Sequence, residues 1–384
     1  MDNEEIIRQE AVRLYFQGYS VEKISFQLLR SRQWVYKWLK RYEHSIDNYW
    51  YKSESNTPQK LSNKTSVELE STIIKIRKEL ISEPYHQTGA INILYKLSTL
   101  GVTPPSVATI NRIIKRNNLS NENTFKKQKT KDYPSCFFNI QQMDLIGPRY
   151  LKGGFRYYLY NIVDIETHYA AVYPIPDKSA KSIVPCLLDY WSQYQVPDYL
   201  QMDNELSFRG SNKHPRGLGL LLRVVLSNKV SPIFIPPAEP WRNGVIENFN
   251  NSVEKRFLSK IVFSSFEEIS VKAKEFTSFH NENHRYSTIS QRTPNQSIDS
   301  VEKRIRLLKV IDLENKILIE EGTLIFIRFI RSDIKLKLLD ATFELNPELK
   351  YNYVVVRIIL EKYIVVISRN ETVYHIFPFP MSIP

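Results

Sequence analysis

The chain has 384 residues, more than one ordinary core of roughly 100 to 200 residues accommodates, so about two to four domains are expected. Its 53 Lys and Arg against 41 Asp and Glu leave a formal charge of +12, which points to a polyanionic partner such as nucleic acid. With only two cysteines, Cys136 and Cys186, there is neither a disulfide framework nor a Cys-rich zinc site, and no run approaches the ~18 apolar residues of a membrane span. An acidic start, Met1 to Arg8, without an apolar segment adds the expectation of a soluble, non-exported, cytoplasmic chain with no membrane partner.

From Glu4 to Arg41 apolar residues recur at helical spacing: Ile7, Ala11, Val12 and Leu14, then Val21, Ile24 and Leu28, then Val35, Trp38 and Leu39. Gly18 separates the first helix from the second, Ser20 can cap the second, and Ser31 can cap a third. This is a helix-turn-helix pattern. Its third helix leaves Arg32, Gln33, Tyr36, Lys37 and Lys40 off the apolar stripe, where long donors reach base edges and phosphates. A three-helix bundle with a merely solvated face is the plainer alternative.

A polar linker follows between about Ser45 and Ser66. A second helical set runs through Ile73, Ile76 and Leu80, then Ile91, Leu94 and Leu97, then from Ser106 through Val107, Ile110, Ile113 and Ile114, with Arg112, Lys115 and Arg116 outward. A basic stretch from Asn121 to Pro134, with Lys126, Lys127, Lys129 and Lys131, reads as a tether.

The period then changes to strands over Phe137 to Ile146, Tyr157 to Asp164 and Tyr169 to Pro174, an antiparallel meander with a turn at Glu166-Thr167. A helix is expected over Ser179 to Tyr194, a strand over Tyr199 to Met202, a helix after Gly217, a strand over Val230 to Ile235 and a long helix from Val245 to about Lys260. After Ile305 strands recur at Leu324 to Ile330, Ile334 to Leu338, Val354 to Leu360 and Tyr363 to Ile367, suggesting a small barrel or meander.

Three acids stand where this layout brings them together. Asp144 lies in or at the end of the first strand, Asp203 ends the short strand Leu200-Gln201-Met202, and Glu247 starts a helix whose stripe Ile246, Phe249, Val253 and Phe257 packs on the sheet. Crowded carboxylates repel one another, so they need cations or retained protons, and hard oxygen ligands favour magnesium or manganese. Two ions about 3.5 to 4 Å apart suit in-line phosphoryl transfer. Taken singly, each acid also fits a turn or cap. Asp164 and Glu166 read as turn residues, and His280 and His284, four apart with no further ligand near, as polar surface. Trp34 and Trp38 suit helix packing, whereas Trp241 can pack its loop or stack on a base.

The segment from Pro236 to Asn250, reading PPAEPWRNGVIENFN, resembles the signature ahead of the last acid in insertion-sequence transposases that share a catalytic core with retroviral integrases. Asn243-Gly244, Glu247 and Phe249 carry that resemblance, as do Asp203-Asn204, Asp144 and the later stretch from Phe279 through Pro294. The resemblance implies a catalytic and metal-binding trio of Asp144, Asp203 and Glu247, with Asp144 bridging two Mg2+ or Mn2+ ions, Asp203 holding one and Glu247 the other. It implies a multidomain chain: helix-turn-helix DNA-binding units at 1–45 and 66–120, linkers at 46–65 and 121–135, a ribonuclease-H-like α/β core at 136–300, and a small all-β, barrel-like domain at 301–384. The expected activity is cleavage and joining of double-stranded DNA in transposition of a mobile element, by a homo-oligomer associated with a bacterial-type nucleoid. Arg32, Gln33, Tyr36, Lys37, Arg112, Lys115, Arg242, Asn243, Asn250 and Lys255 are the candidate DNA contacts.

In three places the chain departs from that pattern. Forty-three residues lie between Asp203 and Glu247, which implies an insertion around Arg209 to Lys229; Glu205 stands where glycine is usual; and Glu254 stands where a basic residue is common, with Lys255 or Arg256 as substitutes. Two other readings stay open, a DNA-binding regulator or inactive relic and a nuclease that cuts without joining.

Overall fold

Serine side chains start the second and third of the N-terminal helices. In the computed structural model α1 (Asn3–Phe16), α2 (Val21–Gln27) and α3 (Arg32–His44) follow in order, with Ser20 Oγ accepting from the Lys23 amide and Ser31 Oγ from the Trp34 amide. Each bond satisfies an amide that a helix start leaves without an intrahelical acceptor. Ala11, Val12, Leu14, Ile24, Val35 and Leu39 form the core here, while Arg32, Gln33, Tyr36, Lys37 and Lys40 are exposed. The structure describes residues 3–45, 49–53, 65–120, 132–210, 213–299, 308, 313, 315 and 317–382, so most of the first linker and Lys126, Lys127, Lys129 and Lys131 lie outside the described residues.

The chain divides between Thr65 and Ser66 into two compact units. The second opens with α4 (Val67–Ser82), α5 (Ala90–Thr99) and α6 (Val107–Arg116), of which α4 is capped by Ser66 and α6 by Ser106, around Ile73, Ile76, Ile93, Leu97, Ile110 and Ile113. This bundle, expected as its own domain, is fastened to the rest of the unit through the segment after α4. The Tyr85 amide donates to the Arg256 carbonyl at 3.1 Å, Arg256 Nε returns a bond to the His86 carbonyl at 3.1 Å, and Lys260 Nζ donates to the Ile81 carbonyl at 2.8 Å. The Tyr85 ring packs against Phe257 and Phe276.

The core follows in a fixed order. β1 (Ile140–Tyr150), β2 (Arg156–Asp164) and β3 (Ala170–Ile175) form the expected antiparallel meander. After α7 (Ala180–Gln193) comes β4 (Tyr199–Met202), parallel to β1; after α8 (Leu206–Arg209) and α9 (Leu220–Ser227) comes β5 (Ser231–Phe234), parallel to β4. Then come α10 (Gly244–Val253), prolonged by a π-helical turn over Glu254–Leu258, α11 (Phe266–Asn283) and α12 (Pro294–Ile298). The sheet order β3-β2-β1-β4-β5, with these directions, is that of a ribonuclease-H-like α/β core.

Side chains on β2 alternate between the two faces. Tyr158, Tyr160 and Ile162 join Ile183, Leu187, Leu222 and Val225 from α7 and α9. Tyr157, Leu159 and Val163 join Ile246, Phe249 and Val253 from α10 and Phe276 from α11. The stretch between Asp203 and Glu247 contains a helix, α9, that is buried in the core.

The separate barrel expected at 301–384 is not formed. β6 (Thr323–Phe329) pairs in parallel with β5, and beyond a β7 (Lys335–Leu338) and β8 (Ala341–Glu344) hairpin, β9 (Tyr353–Ile359), β10 (Ile364–Arg369) and β11 (Thr372–Pro378) extend the same sheet to nine strands. The reason lies in β5, whose outer edge would otherwise be unpaired and whose side chains are buried on both faces. Phe326 stacks on Phe234 with ring centres 4.8 Å apart, and Ile325 and Ile327 cover Ile233. Gly322 has φ +137°, and a Cβ there would lie 2.8 Å from Leu226 Cδ2, so only glycine lets the chain enter β6 this close to α9.

A chain ended at residue 299 should lose its cooperative urea transition or precipitate, because β5 would present an open apolar edge. A soluble truncated chain that unfolds at the same urea concentration as the whole protein would show the C-terminal strands to be a separate domain.

Candidate active site

Parallel pairing of β1 with β4 sets the first two acids. The ladder pairs Ile140 with Tyr199, Gln141 with Leu200 and Gln142 with Gln201, so two residues further along each chain Asp144 and Asp203 come level. Asp144 lies within β1, beyond its parallel pairing with β4, and Asp203 just past the end of β4. They line a cleft of about 140 Å³ together with Gly147, Tyr158, Lys178 and Glu205.

Glutamines that interrupt the apolar strands hold the third element. Gln142 Oε1 accepts from the Ile246 amide at 3.0 Å, satisfying a free hydrogen at the start of α10 and fixing that helix end, with Glu247, to β1. Gln201 Nε2 donates to the Arg242 carbonyl at 3.0 Å and to Asn243 Oδ1 at 3.2 Å, while Asn243 Nδ2 donates to the Met143 carbonyl at 3.3 Å. Asn243 thus stitches β1 to β4 beside the acids.

Asp144 is held on both oxygens: Oδ1 accepts from the Leu145 amide and Oδ2 from Asn250 Nδ2, each at 2.8 Å. Burial and the neighbouring charges of Asp203 and Glu247 nonetheless push its carboxyl up to about 6. Burial also raises Asp203, whose Oδ1 accepts from the Glu205 amide at 2.9 Å, and raises Glu247. Of the three acids only Asp144 feels the other two; Asp203 is influenced by Glu205 and Lys178, and Glu247 by burial alone. Among the described residues no three His, Cys, Asp or Glu side chains stand close enough to hold a metal ion.

The other candidates divide. Arg32, Gln33, Tyr36, Lys37, Arg112, Lys115 and Lys255 are exposed, and Trp241 is half exposed. Asn243 is buried, Asn250 is occupied by Asp144, and Arg242 donates to Glu239 and Tyr353 while its guanidinium lies 4.1 Å from the Tyr133 ring centre. These three, expected to touch DNA, are held by hydrogen bonds within the chain, Asn243 and Asn250 beside the acids and Arg242 against Glu239 and Tyr353.

Four participants escaped the sequence reading. Lys178 donates to Glu205 Oε1 at 2.7 Å at the rim of the cleft. Arg328, from β6, donates to Asn204 Oδ1 at 3.0 Å and to the Ile235 carbonyl at 3.2 Å, so the C-terminal strands steady the residue after Asp203. Gln142 and Gln201 carried the one available signal, polar residues inside apolar strands, which demand buried partners.

His280 and His284 are not surface residues; both are fully buried. Their Nδ1 atoms lie 2.8 Å apart, and their Nε2 atoms reach the carbonyls of His168 at 3.2 Å and Tyr85 at 2.7 Å. Asp164 is the expected turn residue, its Oδ1 accepting from the amides of Glu166 and Thr167.

Residues 228–294 match a family model described as integrase core domain, and residues 6–50 match one described as putative ATPase subunit of terminase (gpP-like). The first match spans the stretch from β5 to the start of α12 and includes Glu247, so this part of the chain is similar to an integrase core domain. Similar solved structures include the HTLV-2 integrase catalytic core domain in complex with magnesium in its dimeric form, at 15% identity and TM-score 0.32, covering 42% of this chain and 95% of that one. The trimeric form of that domain matches at 15% identity and TM-score 0.32 over 41% of this chain and 94% of that one. The catalytic core domain of BIV integrase matches at 14% identity and TM-score 0.32 over 42% of this chain and 94% of that one. No curated protein matches the chain.

The raised Asp144 carboxyl has a pH signature. Between about 4 and about 6 the folded protein keeps a proton there that the unfolded chain has released, so this contribution to stability is present at low pH and lost as pH rises through about 6. Without divalent metal, the melting temperature of Asp144→Asn minus that of the unsubstituted protein should therefore grow between pH 4 and 8, roughly the span of that titration. A difference that stays constant across this range would mean that Asp144 titrates normally.

Proposed function

We propose that the protein is a transposase that binds the ends of its own mobile element and cuts and joins DNA at the cleft holding Asp144 and Asp203, with Glu247 completing the acidic set. The observation that carries this reading is the shared cleft of Asp144, within β1, and Asp203, just past β4, each two residues beyond the last β1–β4 pair, in a chain whose residues 228–294, Glu247 among them, match the integrase core domain model. The donor set fits hard divalent cations: carboxylate oxygens only, with Asp144 burdened by its neighbours' charge in a way a cation relieves. Asp144, Asp203 and Glu247 would hold magnesium or manganese, two ions being expected. Bound there, such ions neutralise phosphate charge and lower the pKa of an attacking water or hydroxyl.

The chemistry needs no covalent enzyme intermediate. Water attacks a phosphodiester at the element end, the bond to the 3′ oxygen breaks, and that oxygen leaves as a free 3′-hydroxyl. This hydroxyl then attacks a target phosphodiester, one ester bond forming as another breaks. Asn250 and the Leu145 amide keep Asp144 oriented, while Lys178 at the cleft rim and exposed Lys255 and Trp241 offer contacts to phosphates and bases.

End recognition is assigned to helix-turn-helix action of α3, through Arg32, Gln33, Tyr36 and Lys37, and of α6, through Arg112 and Lys115, on double-stranded DNA. Two ends must be joined together, so a homo-oligomer on DNA is expected, in a bacterial-type cytoplasm and at the nucleoid. No described helix is long and apolar enough to cross a membrane. A second reading, a DNA-binding regulator without catalysis, draws on the lack of three metal-ready side chains among the described residues.

One assay separates them. Asp144→Asn, Asp203→Asn and Glu247→Gln should each abolish Mg2+-dependent cleavage and joining of an element-end duplex while leaving its binding nearly intact, because the charged oxygens serve the chemistry alone. Full activity in any one removes that residue from the site, and an unsubstituted protein that binds the ends but never cuts them supports the regulator.

For the N-terminal reader, Gln33→Ala or Lys37→Ala should weaken binding to an element end by roughly 1 to 3 kcal/mol and binding to random duplex by less. The two side chains are four residues apart and both exposed on α3, so they can share one groove. Equal losses on specific and random DNA, measured by competition at several salt concentrations, would reduce α3 to a sequence-blind anchor.

A further inference from the structure

We propose that Asn161 is a positioning residue for Asp144, acting through Asn250; this rests on the reading of the site given above. Asn161 lies on β2 directly across from Asp144 in the β1–β2 ladder and is wholly buried. Its Nδ2 donates to Asn250 Oδ1 at 2.7 Å, and Asn250 Nδ2 donates to Asp144 Oδ2 at 2.8 Å. The direction of this relay follows from donor and acceptor chemistry. An ionised carboxylate only accepts, so Asn250 must turn its NH2 group toward Asp144 and its carbonyl oxygen away, and that oxygen then needs a donor. Asn161 supplies one.

The cost of the arrangement is visible. Asn161 Oδ1 is buried with no hydrogen-bond partner among the described residues, which lowers stability. Leu159 and Val163, the neighbours of Asn161 on the same face of β2, are apolar and belong to the core beneath α10. An apolar side chain at 161 would suit that core and leave no orphaned oxygen. What it could not do is hold the Asn250 amide in one of its two orientations. Asn250 stands three residues beyond Glu247 on α10, so the relay ties the strand that carries Asp144 to the helix that carries Glu247.

The test uses the full chain and Mn2+ as probe, read by electron paramagnetic resonance, alongside thermal melts. Binding by the unsubstituted protein should depend on Asp144, being lost in Asp144→Asn. Asn161→Val should weaken Mn2+ binding roughly tenfold, the usual scale for residues that orient a metal ligand from behind, while its melting temperature stays level or rises. In an Asn250→Ala background the same substitution should change Mn2+ affinity no further. If Asn161→Val does not fold, Asn161→Ala is read by the same criteria. Wild-type affinity in the Asn161 variant, an undiminished effect in the Asn250→Ala background, or a lower melting temperature without loss of affinity would each overturn this proposal alone. Absence of Asp144-dependent Mn2+ binding in the unsubstituted chain would overturn the metal reading of the site and this proposal with it.

Discussion

Parallel pairing of β1 with β4 is the constraint on which the rest of the site depends. It brings two acids, 59 residues apart in sequence, level two residues beyond the last pair of the β1–β4 ladder, and it sets Gln142 and Gln201 opposite each other just before them. Those glutamines then take up the start of α10 and Asn243, so the helix bearing Glu247 is placed by bonds that exist only because the two strands are in this register. A slip of one residue would turn each of these side chains to the other face of the sheet.

Behind the acids lies a second layer of polar groups that would be costly in the interior if they were not matched. Asn250, Asn161, Asn243, Asn204 and Arg328 each bond to an acid, to another member of the set or to a strand carbonyl. Arg328 is half-buried, and burial pulls its guanidinium down to about 10, still cationic at neutral pH. The cation that lowers Asp203 is Lys178, at the cleft rim. Because Arg328 comes from β6, the strands after residue 320 serve the site as well as the sheet.

The helical bundle over Ser66 to Asn117 is integrated in the same manner. Arg256 both accepts from Tyr85 and donates to His86, and the buried His280–His284 pair ties α11 to the Tyr85 and His168 carbonyls. Burial holds both imidazoles well below their ordinary value, His280 at about 3, so at neutral pH they act as hydrogen-bonding groups without charge.

Much of the local structure was written in the chain. Ser20, Ser31, Ser106 and Ser179 cap the helices they precede, and the strand at Tyr199–Met202 has the bounds its apolar run suggests, because caps and alternation act within a few residues. The three acids could be singled out because each ends or begins an element whose period is clear. α11 was not anticipated, since its buried stripe of Ile269, Ala273, Phe276 and His280 mixes small and polar members and contrasts weakly with its exposed face. Only tertiary structure decided that β6 and β9 to β11 complete the core's sheet, that Arg242, Asn243 and Asn250 face inward, and that two histidines are interior. Alternation reports that a strand has a buried face but not which edge it will pair with, and a polar side chain carries no mark of its partner. His280 meets a carbonyl 112 residues away and His284 one 199 residues away, and such contacts are settled by packing.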